Sequence, residues 1–265
     1  MTNLIKWAGG KAKLAPLFKN YAVFSQESFY VEPFLGGGGS FLQLKGEFAA
    51  ASDKNSSLIA LWSAVRDDLD GLMTHYESYH TRHSRDSYYE ARLQYNLLKP
   101  LGQHEKLPGL FLYLINTCFN GLCRYNLSGE FNTPIGDHIP SVASVRDKLL
   151  SVRFKIENTA FHCWDFEKTI AYYHSKPNVF FYCDPPYSQV DGKGFQDYTG
   201  DWKETDADRL AQALQVSGCD FAVSEIDCRA VRSRYADYPM IELQANRSIG
   251  GNRSKVGELL ILSRV

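Results

Sequence analysis

The sequence predicts an α/β fold, a doubly wound and mostly parallel sheet interrupted by a helical insert. Three observations point there. Short runs of β-branched and aromatic residues end at a carboxylate, Pro or Gly, as buried strands do where they meet irregular loops. Strand and helix patterns alternate in the C-terminal half. From about Ser63 to Leu150 the apolar spacing is helical instead, with charges, Tyr and His between the apolar positions.

In chain order, Phe29–Phe34 reads as a first strand that closes on a Gly-rich loop and an apolar segment. About one strand later comes Ala50-Ala51-Ser52-Asp53. Helical spacing then covers Ser63–Tyr79, Ser84–Leu98 and Pro108–Phe119. Asn120 to Pro140 is rich in Asn, Gly, Ser and Pro, with Phe131 and Ile135 between, and predicts a long hairpin or ordered loop. Asn178–Cys183, Phe221–Ser224 and Glu258–Ser263 read as strands, and Asp206–Val216 as a helix. Residues 1–62 and 151–265 are thus expected to form the α/β domain. Residues 63–150 form the insert, with a hairpin near 119–139. In such sheets ligands sit outside the carboxyl ends of the strands.

The chain has 265 residues, 44% hydrophobic and 22% charged, which excludes disorder, collagen-like repeats and coiled coil. Lys+Arg 29 against Asp+Glu 30 leaves a net charge of -1, so any polyanion must be bound by local basic sites. Six cysteines without a Cys-x-x-Cys pair suit a reducing compartment. Met1 to Gly10 holds no long apolar stretch, so neither a signal peptide nor a membrane span is expected. A soluble cytoplasmic monomer is the expectation.

Gly36-Gly37-Gly38-Gly39 lets backbone approach a ligand closely and take positive φ. No Gly-Lys-Ser/Thr follows, so it is not a phosphate loop. Asp53 stands where a carboxylate takes the ribose hydroxyls of a nucleoside. A flexible turn with a helix cap is an equally plain reading of the glycines alone.

Cys183-Asp184-Pro185-Pro186-Tyr187 is more informative. Two prolines continue neither a central strand nor a helix interior, so they fix a rigid turn at the strand end. The turn presents a carboxylate, a carbonyl and an aromatic ring. These groups suit methyl transfer to a planar exocyclic amine, whose lone pair is delocalised into its ring. Hydrogen bonds from the amine to the Asp184 carboxylate and the Pro185 carbonyl favour a pyramidal nitrogen with its lone pair aimed at the methyl. Tyr187 would stack on the heterocycle. Neither a metal nor a covalent intermediate is required.

Along nearly its whole length the chain resembles the Dam-type DNA adenine N6-methyltransferases of the D12 class. The shared motifs run in order: Ile5-Lys6-Trp7-Ala8-Gly9-Gly10-Lys11, Glu32-Pro33-Phe34 with the glycine loop, Asp53, Asn120 to Asn126, Gly129-Glu130-Phe131-Asn132, Asp184 to Tyr187, Asn246-Arg247-Ser248-Ile249 and Glu258-Leu259-Leu260. The resemblance implies a methyltransferase-type sheet with a target-recognition insert, S-adenosylmethionine as cofactor and double-stranded DNA, favoured at GATC, as substrate. Trp7, Lys11, Phe34, Gly36 and Gly38 would enclose the cofactor, Asp53 would bind its ribose, and Asp165-Phe166 would flank its adenine. Lys6, Asn120, Leu122 and Arg124 would read the DNA.

Arg124 suits bidentate contact with a guanine edge. Leu122 would fill the gap left by an adenine flipped out of the stack, which costs a few kcal/mol of unstacking. A solvated hairpin with Arg124 paired to Glu130 is the plainer alternative. Phe119 stands where the family often has Tyr, and Asp137-His138 where it usually carries a basic or aromatic pair. Ser224-Glu225-Ile226-Asp227 replaces a more usual Ser-Asn start. Arg247, Arg253 and Lys255 meet no acid between Gln244 and Val256, in what reads as a loop facing phosphates or plain solvent.

Cys183 lacks the Pro-Cys context of cytosine C5 chemistry and reads as a strand residue. His75, His80 and His83 lack a clean metal-ligand spacing. Cytosine N4-methylation and a non-catalytic DNA-binding relative remain the alternatives.

Overall fold

The computed structural model describes residues 3–7, 9–12, 15–18, 25, 27–101, 106–187, 202–249 and 252–264. The first half of the chain supplies α1 (Ala15–Phe18), β1 (Phe29–Glu32), α2 (Phe41–Leu44), β2 (Ala49–Ser52), α3 (Ser56–Asp67), α4 (Leu69–His80), α5 (Arg85–Leu98) and α6 (Leu107–Thr117). After these come α7 (Val142–Ile156), β3 (Thr159–His162), α8 (Phe166–Tyr173), β4 (Val179–Cys183), α9 (Glu204–Ser217), β5 (Asp220–Ile226), α10 (Arg229–Arg234), β6 (Met240–Ile249) and β7 (Asn252–Leu262). They fall into two compact units, one of residues 1–13, 35–43 and 53–163, the other of 14–34, 44–52 and 164–265.

The first unit is helical because its apolar residues recur on helix faces. α6 is the exception that organises it. From Leu107 to Ile115 every residue is buried, so the helix is apolar all round, and α3, α4 and α5 pack against it. The expected single helix Ser63–Tyr79 is two helices. Asp68 leaves helical geometry at φ -144, closes α3 with its backbone N–H on the Ala64 carbonyl, and caps α4 by accepting from the Gly71 N–H. α7 was not expected, yet Val145, Leu149, Val152 and Ile156 give it a buried helical stripe behind the Ser141 cap. Leu150 and Phe154 on its exposed side blur that pattern.

The second unit carries the sheet, in the order β2-β1-β4-β5-β7-β6. Pairings β1·β2, β1·β4 and β4·β5 are parallel, and β5·β7 and β6·β7 antiparallel. β4 (VFFYC) buries all five residues, the continuous apolar run of a strand covered on both faces. The doubly wound α/β expectation therefore holds. After β1 the chain steps to β2 on one side, and later to β4 on the other. Strand order reverses there, so the carboxyl ends of β1 and β4 flank the crevice where such sheets hold ligands.

The stretch from Gln244 to Val256, expected as a loop, belongs to the β6–β7 ladder, which continues to the pair Ile249↔Asn252. The stretch is rich in Gly, Ser, Asn and basic residues, with no apolar alternation to read as a strand.

Candidate active site and DNA-reading hairpin

Within the first unit, the glycine loop is tied to Asp53 and to two tryptophans. Gly36 N–H donates to Asp53 Oδ2 at 3.0 Å, and Asn55 N–H to Oδ1 at 2.9 Å. The Trp62 indole N–H donates to the Gly36 carbonyl at 3.2 Å. A Cβ at Gly36 would lie 2.8 Å from Trp7 Cδ1, one at Gly37 2.8 Å from the Ile5 carbonyl, and one at Gly38 would overlap the Trp62 ring. Gly36 and Gly38 also have φ of +49° and +70°. The glycines are thus required by packing as well as by any close approach of a ligand. Lys11 is buried, with Nζ on the Gly9 carbonyl at 2.9 Å.

The hairpin belongs to the same unit. Its ladder runs through the bridges Cys118↔Ile135 and Tyr125↔Phe131. Asn120 is exposed with φ +54°, and at Gly121 (φ +65°) a Cβ would meet Lys6 Cβ and Cδ at 3.0 Å. Lys6 therefore lies against the Asn120–Arg124 segment. Leu122 is half-buried, its carbonyl accepting from Thr133 Oγ1 at 2.7 Å. Arg124 is exposed and does not pair with Glu130. Its Nε donates to Asn132 Oδ1 at 2.7 Å, while Glu130 accepts from Asn126. Beneath the hairpin, Tyr125 Oη shares a 2.9 Å hydrogen bond with Tyr95, which donates to Ser57, and Asn55 Nδ2 reaches Tyr125 at 3.5 Å. His80 and His83 bond the Pro140 carbonyl and the Tyr113 hydroxyl.

Within the second unit, Phe34 stacks on Phe166 with ring centroids 5.5 Å apart. Trp202 packs edge-on against both, at 5.6 and 5.7 Å. Asp165 caps α8 by accepting from the Glu167 N–H, and Arg209 bridges Asp165, Glu167 and Asp206 while covering the Phe166 ring. Trp202 carries little sequence signal. Its one signal is a lone indole in a polar stretch ahead of a helix.

Asp184 follows β4 directly, and Pro185 is buried behind it. The Tyr187 hydroxyl donates to Glu258 Oε1 at 2.7 Å. Nearby, Tyr30 donates to Glu32 at 2.8 Å, and Tyr182 shares a 2.9 Å hydrogen bond with Ser224. Burial, then the charges of Glu32 and Asp184, push the Cys183 thiol well up, so it stays protonated and unreactive. In the Ser224–Asp227 stretch, Glu225 is buried and Asp227 forms a bidentate pair with Arg232 at 2.6 and 2.8 Å. Glu258 and Glu225 were not singled out as candidate site residues, since an acid within an apolar strand gives no sign of its partner. The side chains of Arg247, Arg253 and Lys255 lie outside the described residues.

The doubly wound sheet places the Asp-Pro-Pro-Tyr turn at its switch point. The model of the D12 class N6 adenine-specific DNA methyltransferases matches residues 7–249, and the chain belongs to that family. It is 32% identical over 270 residues to the DNA adenine methylase of Haemophilus influenzae, covering 97% of this chain and 92% of that protein. Against the DNA adenine methylase of Serratia marcescens identity is 31%, covering 98% and 97%. Against that of Escherichia coli K12 it is 30%, covering 97% and 94%. The protein is an adenine-specific DNA methyltransferase, which decides for adenine N6 over cytosine N4. S-adenosylmethionine is the methyl donor and DNA the substrate. Among the described residues no helix is long and apolar enough to cross a membrane.

Proposed function

We propose that the protein methylates N6 of an adenine flipped out of duplex DNA, within GATC. The observation that carries this reading is the hairpin, where exposed Asn120 and Arg124 stand with Lys6 at their base and Asn132 holds the guanidinium. A fork held in place loses little side-chain freedom when it meets a guanine edge. Lys6, Asn120, Leu122 and Arg124 read the bases, and Arg247, Arg253 and Lys255 contact phosphates. Residues 63–150 serve as the recognition insert, and 1–62 with 151–265 as the catalytic domain.

The residues present fit S-adenosylmethionine. The loop of Gly36 to Gly38 is a cradle that a Cβ would fill, Asp53 supplies the ribose carboxylate, and Phe34 and Phe166 supply apolar faces. Trp7, Lys11 and Asp165 complete this set. When bound, the cofactor supplies an electrophilic methyl on a sulfonium. Asp184 and the Pro185 carbonyl accept hydrogen bonds from the adenine amine and orient its lone pair, Pro186 stiffens the turn, and Tyr187 stacks on the ring. The protein works as a monomer in the cytoplasm of a bacterial or phage-infected cell.

Sequencing methylated adenines on genomic DNA after incubation with the protein tests the site. Methylation concentrated outside GATC overturns that target. Activity on single strands alone overturns the duplex, and Asp184→Ala is expected to abolish transfer.

A further inference from the structure

We propose that Glu258 is a positioning residue for the target base, acting through Tyr187. The inference rests on the reading above that Tyr187 stacks on the adenine. Tyr187 is half-buried, so part of the residue remains accessible. One end of the side chain springs from the rigid Pro185-Pro186 turn. The other end donates its hydroxyl to Glu258 Oε1 at 2.7 Å. A tyrosine side chain turns about two torsions only, and holding both ends leaves its plane little freedom.

The acceptor is itself immobile. Glu258 is 2% exposed and sits in β7 between two strands, opposite Ile226 of β5 and Leu243 of β6. A carboxylate is costly to bury, and a hydrogen bond to an ionised acceptor is roughly twice as strong as a neutral one. A side-chain acid at this place therefore fixes the ring more firmly than a neutral acceptor would. A phenol that donates to a carboxylate also gains electron density, which makes its π face more negative. That face then stabilises the positive charge developing on the adenine as its amine takes the methyl. Glu258 accordingly contributes more to turnover than to the binding of either substrate.

The test compares Tyr187→Phe, Tyr187→Ala, Glu258→Gln, Glu258→Ala and the double variant Y187F/E258A. The readouts are kcat, KM for an oligonucleotide duplex, cofactor Kd by calorimetry, and emission of 2-aminopurine at the target adenine. Tyr187→Phe and Glu258→Ala are each expected to lower kcat about tenfold, or about 1.4 kcal/mol, with KM and cofactor Kd nearly unchanged. The double variant falls no further than either single one, because both remove the same bond. Glu258→Gln, whose neutral amide oxygen still accepts, recovers only part of the loss, and the flipped 2-aminopurine brightens in Glu258→Ala as its stack loosens. Additive losses, or a Glu258→Ala variant that loses cofactor affinity in step with kcat, overturn the role of Glu258. If Tyr187→Ala leaves both kcat and 2-aminopurine emission unchanged, the base-stacking reading itself falls. Should Glu258→Ala fail to fold, Tyr187→Phe and Glu258→Gln decide the matter, since both leave a polar side chain at 258.

Discussion

Gly36 and Asp53 are joined by a 3.0 Å hydrogen bond, backbone amide to carboxylate, across 17 residues of sequence. The second oxygen of Asp53 receives the Asn55 amide, so the acid is held from both sides before any ligand arrives.

Replacing Asp53 with Ala is therefore expected to loosen the loop and to remove the proposed ribose acceptor together. Cofactor affinity should fall at least about tenfold, about 1.4 kcal/mol, in a calorimetric titration. Unchanged affinity would remove Asp53 from the cofactor site.

Gly38→Ala puts a methyl into the Trp62 ring at a backbone φ of +70°. Overpacking and strain together predict a loss of about 2–4 kcal/mol in urea unfolding. Gly9→Ala is the control, since Gly9 has φ +77° with nothing within 4 Å. It is expected to cost only about 1–2 kcal/mol. Equal losses at the two positions would show that the indole is no obstacle.

Tyr125→Phe deletes a hydroxyl that meets Tyr95 and Asn55, and so severs the hairpin base from the segment that begins at Asp53. Loss of this buried bond should cost about 1–3 kcal/mol of stability. It should also weaken the linkage between cofactor and DNA binding, read as the ratio of cofactor Kd with and without duplex. A variant with normal stability and normal linkage contradicts the expectation.

Arg124→Ala is expected to relax sequence preference, at about 1–3 kcal/mol for the base pair it reads. Asn132→Ala should do the same in part, because it frees the guanidinium. Arg247→Ala should weaken binding to all sequences alike. Competition between duplexes differing at one base pair separates these outcomes, and a uniform loss from Arg124→Ala would end its assignment as a reader.

At high pH the buried tyrosines govern stability. Burial pushes Tyr76 and Tyr173 up to about 12, and lifts Tyr88 and Tyr95 further. In the unfolded chain these phenols ionise near 10. A folded-state pKa above the unfolded value means stability is intact below about pH 10 and is lost as pH climbs toward 12. Their phenolate absorbance is expected to appear together with loss of circular dichroism. Phenolate signal from these residues in a still-folded protein would contradict it.

Much of this was legible in the sequence for physical reasons. β1 and β4 are short apolar runs that meet a carboxylate and then Pro, and the Asp184 turn is written in two prolines. Helix α5 has clear apolar spacing, and α6 is a continuous apolar run. Other features had no local signal. The break at Asp68 depends on one side chain serving two helix ends. The Gln244–Val256 stretch, rich in Gly, Ser, Asn and basic residues, carries no apolar alternation that would announce a strand. The bonds Tyr187–Glu258 and Arg124–Asn132 join residues 71 and 8 apart, and composition names no partner for either. The four glycines were legible as a loop, but not their chief constraint. Nothing near them in sequence announces Trp62.

That constraint gives the protein a built-in optical signal. Of its four tryptophans, Trp7 and Trp62 touch the glycine loop, and Trp202 touches Phe34 and Phe166. Indole emission follows the polarity and packing around the ring. If the glycine loop holds the cofactor as proposed, its filling changes the surroundings of Trp7 and Trp62, and the unlabelled protein reports its own occupancy in the light it emits.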